Sequence, residues 1–362
     1  MANVLKKYIY IYPFWQYFIE AKFVISLCVW HLLMQYHSMY SRLLQFSRDE
    51  KWFTYIHRYS QTFPLWHLQS LSVPICRFKS TASREHNTPR DDYNVARTIV
   101  GTDACVKAGI TGLGIHGPSI IYKNLTFQEL FDHEQENNEG VVASAEYGDT
   151  FTVDTGKFTG RSPKDKWLVK NIGSQSDDNV DWGKVNQATT PEVYEELYNR
   201  AVNYFNTRST AYVFDGFCGA SPKSKRKIRF VHEMAWQQHF VTNMFIRAAD
   251  EEELEGFEPD FTVINCCSQV VQDYDKLGLN SDTAIVFNIE KKTAVIFGTW
   301  YGGENKKGIF SLMNYWLPLA GDFPMHCSAN VGKNGDSALF FGLSGTGWVD
   351  LGFRHKIFRF QK

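Results

Sequence analysis

SALFFGLSGTG, residues Ser337 to Gly347, is an apolar strand that runs straight into a glycine-rich loop. That junction is the hallmark of an α/β protein that holds phosphate on backbone amides, because glycines let the chain approach an anion closely. Gly342, Leu343, Ser344, Gly345, Thr346 and Gly347 supply such a cradle. A complete phosphate loop reads GxxxxGK[ST], in which the lysine neutralises phosphate charge and the hydroxyl meets magnesium. Here Trp348 and Val349 follow, and they offer neither group.

Upstream of this junction the pattern is also mixed. Thr126 stands three residues before Glu129, the spacing of a capping box, which predicts a helix start. Thr190 before Pro191 predicts a second helix, with Val193, Leu197 and Ala201 on one face, and Met234, Ala235, Phe240 and Met244 predict a third over about 231–247. Short β-branched and aromatic runs at 211–214, 227–230, 261–264, 283–287 and 293–297 read as strands. The fold class is α/β, with the globular part starting near Val95 and no internal repeat.

The 362 residues suffice for one large domain or two ordinary ones. With 44% hydrophobic residues, 21% charged residues and a net charge of -1, the chain reads as a soluble globular protein without the basic excess that would favour nucleic acid as a partner. The seven cysteines form no CxxC pair, so they read as reduced thiols rather than disulfides or metal ligands. Residues 1–90 differ in composition from the rest. The stretch from Tyr8 to Tyr36 is apolar but broken by Pro13, Glu20 and Lys22, short of the roughly 20 apolar residues of a membrane span, so a membrane anchor is the lesser alternative. Residues 51–84 lack acidic side chains and end in RFKSTASR, which reads as a mitochondrial transit segment or a mispredicted leader.

Three further strings carry candidate chemistry. TGKFTGRSPKDK, 155–166, is either an exposed basic loop or a turn that aims the Arg161 fork at a carboxylate or phosphate. GTWYGGENKKG, 298–308, holds two lysines that are either solvated or, within a cleft, able to offer a neutral amine to a metal. MHCSAN, 325–330, presents His326 as a structural side chain or as a ligand to metal or phosphate.

Taken in order with FCGA at 217–220 and the helix from Ala235 to Arg247, these strings resemble the ATP-dependent phosphoenolpyruvate carboxykinase family from about residue 120 to Gly347. The resemblance implies the N-terminal domain of that fold over 91–325, the start of a P-loop-containing nucleotide domain over 326–347, and an unrelated tail at 348–362. It implies the reaction of oxaloacetate with ATP to phosphoenolpyruvate, ADP and carbon dioxide, a step of gluconeogenesis, with ATP, Mg2+ and Mn2+ as cofactors. Arg161 matches the substrate-holding arginine, Tyr301 the tyrosine of the same pocket, and Lys307 and His326 two ligands of manganese. A cytosolic location follows from the resemblance, and a mitochondrial one from the leader. Because the lysine and hydroxyl contacts, worth about 1.5–3 kcal/mol each, are replaced by Trp348 and Val349, the expectation is weak nucleotide binding and no turnover by this chain as written. The oligomeric state is not read from the sequence.

Overall fold

The computed structural model describes residues 95–145, 148–331 and 335–341. The leader, the cradle from Gly342 to Gly347 and the tail at 348–362 therefore lie outside the described residues. The described residues begin with β1 (Arg97–Val100), α1 (Ala104–Ala108), β2 (Ile120–Lys123), α2 (Phe127–Glu136), β3 (Val141–Ala145) and β4 (Gly148–Thr152). Next come β5 (Lys166–Val169), α3 (Gln175–Asn179), β6 (Gln187–Thr189), α4 (Pro191–Asn206), β7 (Thr210–Cys218) and β8 (Arg226–His232). Then follow α5 (Ala235–Met244), β9 (Ile246–Arg247), β10 (Phe261–Cys266), β11 (Ala284–Asn288), β12 (Thr293–Phe297), α6 (Gly303–Leu319), β13 (Ser328–Val331) and β14 (Ser337–Phe340).

Local chemistry sets the first two predicted helices. At α2 the Thr126 hydroxyl accepts from the Glu129 amide at 3.2 Å while the Glu129 carboxylate accepts from the Thr126 amide at 2.8 Å, so two orphan donors are satisfied reciprocally. At α4 Thr190 caps the Val193 amide and Pro191 enters the first turn, where its missing N–H costs nothing. The third helix is shorter than the sequence suggested. Val231 and His232 remain in β8, paired with Ile264 and Asn265, and Ile246 and Arg247 pair with β7. The helix starts only where the Glu139 carboxylate accepts from the amides of Ala235 and Trp236, at 2.9 and 2.6 Å.

The main sheet runs β1-β2-β7-β8-β10-β12-β11-β5-β6, with β9 alongside β7. It is mixed: β8, β10 and β12 are mutually parallel, while β7 and β11 join them antiparallel. Every residue of β10, β11 and β12 is buried, the signature of a sheet covered on both faces. Side chains alternate between two cores. Ile264, Val286 and Val295 meet Tyr194, Leu197 and Phe205 of α4 on one face, and Val263, Ile285 and Ile296 meet Val241 of α5 and Ile309 and Leu312 of α6 on the other. The α6 axis lies so close to β11 that a Cβ at Gly308 would fall 2.2 Å from the Phe287 ring, which is why glycine stands there.

The strand read at Ser337 forms, as β14 in a hairpin with β13, registered Ser328 to Phe340 and Val331 to Ser337. Leu339 and the following Phe341 are nonetheless exposed. Cys105, Cys218, Cys266, Cys267 and Cys327 are free thiols. Among the described residues no helix is long and apolar enough to cross a membrane.

Candidate active site

Three loops and one helix converge at the edge of α6. Arg161 sits on the loop between β4 and β5, exposed, and that loop is clamped from several sides. The Ser162 amide donates to the Glu304 carboxylate at 2.6 Å, the Ser281 hydroxyl donates to Asp165 at 2.8 Å, and Lys157 pairs with Asp282 at 2.6 Å. Arg161 is thus presented by a rigid backbone although its own side chain reaches solvent.

Helix α6 carries the opposite wall. Lys307 Nζ stands 3.3 Å from His326 Nε2, and Phe310 lies against both, 4.2 Å from the ammonium to the ring centroid and 5.3 Å from the imidazole centroid. Burial, then the charges of Arg161 and Lys306, push the Lys307 amine down from its ordinary range. Burial also lowers the His326 imidazole, followed by Lys307, Lys306 and Arg161. Burial and the neighbouring positive charges therefore make Lys307 and His326 less willing to hold a proton, the condition under which an amine and an imidazole become donors to a metal.

Lys166, at the start of β5, belongs to the same cluster. Its pKa is lowered to about 8, chiefly by burial, against the upward pull of Glu304 and with the help of Arg161 and Lys307, while its amine donates to the Ser311 hydroxyl at 2.6 Å. The buried Glu304 carboxyl is itself raised, chiefly by desolvation. Beside Lys166 and Phe310 opens a groove of about 300 Å³, also lined by Phe287, Ser311, Asn314 and Tyr315.

The structure thus brings together Arg161, Lys307 and His326 within one electrostatic cluster. Tyr301 stands on the turn immediately before α6, its ring folded over the helix start so closely that a Cβ at Gly303 would come within 2.4 Å of it. No described contact joins Tyr301 to the other three. The cradle residues Gly342, Leu343, Ser344, Gly345, Thr346 and Gly347 lie outside the described residues. Sequence reading missed Lys166, Glu304 and Phe310. The first closes the string that carries Arg161, and the other two flank Lys306 and Lys307. Their roles emerge only once residues 303–319 are recognised as a helix, whose face Ile309, Leu312, Met313 and Trp316 would have revealed.

Among the described residues no group of three or more histidine, cysteine, aspartate or glutamate side chains is arranged around a metal position. Lys307 and His326 are by chemistry two adjacent nitrogen donors, which fits part of a divalent-ion site.

A mixed sheet covered on both faces by helices, with Arg161, Lys307 and His326 gathered in one field beside α6, defines an α/β protein with a cationic cluster at its surface. The family model described as phosphoenolpyruvate carboxykinase matches residues 119–355. The chain belongs to that family. It is 56% identical over 243 residues to phosphoenolpyruvate carboxykinase (ATP) of Campylobacter lari, covering 67% of this chain and 45% of the relative. The proteins of the same name from Sulfurimonas denitrificans and Leptospira biflexa are 52% and 48% identical over 66% and 67% of this chain, each covered over 44% of its own length. The chain spans less than half the length of these curated relatives.

Proposed function

We propose that the cluster around Arg161, Lys307 and His326 is the substrate half of an ATP-dependent carboxykinase site, built to hold oxaloacetate or phosphoenolpyruvate. The observation that carries this reading is the 3.3 Å approach of Lys307 to His326 under the field of Arg161. Arg161, exposed on a clamped loop, binds a carboxylate through its planar fork. This reading also assigns Tyr301, on the turn that leads into α6, to the substrate. Lys307 and His326, their protons loosened, would hold the divalent ion. Such an ion, when bound, would supply Lewis-acid charge beside the substrate. The surrounding cations stabilise the substrate's negative charge without having to reorganise.

Nucleotide binding stands differently. The cradle at 342–347 is followed by Trp348 and Val349, which give no cation and no magnesium hydroxyl, so no phosphoryl step is assigned to this chain. This favours a second reading, in which the polypeptide binds a dicarboxylate and metal without turnover. The cytosolic location is part of the first reading, carried by the bacterial relatives.

Calorimetry with oxalate in the presence of Mn2+ tests the site. The intact chain binds with a heat that Arg161→Ala reduces, weakening affinity about 10- to 100-fold for a lost charge-assisted contact. Absence of an Arg161-dependent component would remove the reading. A coupled assay for phosphoenolpyruvate separates the two versions, with no product expected; measurable turnover would discard the second.

A further inference from the structure

Behind the site lies a cluster of buried amides that the chemistry above does not use. Gln237, in the first turn of α5, is fully buried, as is Asn305 of α6, and Asn265 at the end of β10 is 1% exposed. The Gln237 Nε2 donates to the Trp300 carbonyl at 2.8 Å, and the Trp236 indole N–H donates to that same carbonyl at 3.1 Å. At its other end, Gln237 Oε1 accepts from Asn305 Nδ2 at 2.7 Å and from Asn265 Nδ2 at 3.3 Å. Asn305 Oδ1 in turn accepts from Asn265 at 3.1 Å.

The two residues that Gln237 grips bracket the site-forming turn. Trp300 directly precedes Tyr301, and Asn305 directly precedes Lys306 and Lys307. An apolar trio could fill this space without needing partners, whereas buried amides hold one geometry because any displacement strands a polar atom away from water. The grip therefore acts on the spacing between Tyr301 and Lys307, the neighbours of the two gripped residues, rather than on general packing.

We propose that Gln237 is a positioning residue: by holding the Trp300 carbonyl and the Asn305 amide at once, it fixes the turn from 300 to 305 and so the placement of Tyr301 relative to Lys307. The consequence for ligand binding rests on the dicarboxylate reading given above. The grip itself rests on the hydrogen bonds alone.

Hydrogen exchange on the full chain separates these. In Gln237→Leu, which removes three hydrogen bonds, amide exchange across 299–308 rises at least about 10-fold, the size of one net hydrogen bond, while β8, β10 and β12 keep their protection. In Asn305→Leu, exchange rises from residue 304 onward and residues 299–301 stay protected, because the bond to Trp300 survives. Oxalate affinity measured with Mn2+ falls about 10-fold in Gln237→Leu, as misplacement of a preorganised pocket requires. Unchanged exchange at 299–308, or a rise shared equally by β8, β10 and β12, overturns the positioning role. Should Gln237→Leu fail to fold, the segmental or uniform response of Asn305→Leu decides the matter in the same way. If the unsubstituted chain binds no oxalate, the dicarboxylate reading fails while the exchange pattern still tests the grip.

Discussion

Two groups of cations in this molecule have opposite surroundings. At the centre of the sheet, Asp215 is fully buried and receives Arg229 through Nε and Nη2, each at 2.7 Å, and Lys123 at 2.8 Å. Arg229 Nη1 and Lys123 Nζ also donate to the carbonyls of Gly109 and Ala108, which close α1. At the edge of α6, by contrast, Lys307 feels Arg161 and Lys306, and His326 feels all three. The central cations are answered by a carboxylate and by helix-end carbonyls; those at the edge press on one another. A paired buried charge fixes a fold, and a set of mutually repelling cations on rigid backbone favours an anion that arrives from outside.

That contrast can be broken most forcefully at Asp215. Asp215→Ala leaves Arg229 and Lys123 uncompensated in the core and destabilises the protein by about 3–5 kcal/mol in denaturant unfolding. A loss below 1 kcal/mol would mean the central cluster is no more structural than the edge. Arg161→Ala serves as its counterpart, shifting stability by less than about 0.5 kcal/mol because the side chain is exposed, even as it abolishes most oxalate binding. A large drop in stability there would erase the distinction.

Lys166 sharpens it through pH. Its folded pKa of about 8 lies below the ordinary 10.5, so between these values the unfolded chain binds more protons and stability rises with pH. Relative to Lys166→Met, the unsubstituted protein gains stability across pH 8 to 10.5 with a slope of at most about 1.4 kcal/mol per pH unit. A flat difference would place Lys166 in open water. The smallest effect is on His326. Removing the neighbouring charge in Lys307→Met raises the imidazole pKa toward its ordinary 6.5, though not fully, since burial is the leading cause of its depression. Titration of the His326 ring resonances by NMR reads this directly, and an unmoved value would show that the 3.3 Å approach carries no electrostatic coupling.

Much of this could be read from residue order. Thr126 with Glu129, and Thr190 with Pro191, act over three or four residues, so their helices were visible without knowledge of anything distant. The five predicted strands, with their continuous apolar runs, form where the sequence put them. Helix α6 was not predicted, although Ile309, Leu312, Met313 and Trp316 mark its apolar face, because Gly303 and Gly308 are poor helix formers within its first turns. Gly308 is tolerated in a helix here for a reason no local pattern contains, namely the Phe287 ring from another strand. The same is true of Glu304, whose carboxylate holds the Arg161 loop across 142 residues of chain.

The sequence by itself determined the α/β class, the family and the residue types able to handle a carboxylate and a metal, since strings of neighbouring residues encode all three. Only the tertiary structure decided that Arg161, Lys307 and His326 share one field, that Lys166 and Glu304 join them, and that Gln237 grips the turn between Trp300 and Asn305. The physical reason is that fields and buried hydrogen bonds depend on separation in space and on exclusion of water, and both are settled by packing rather than by order along the chain.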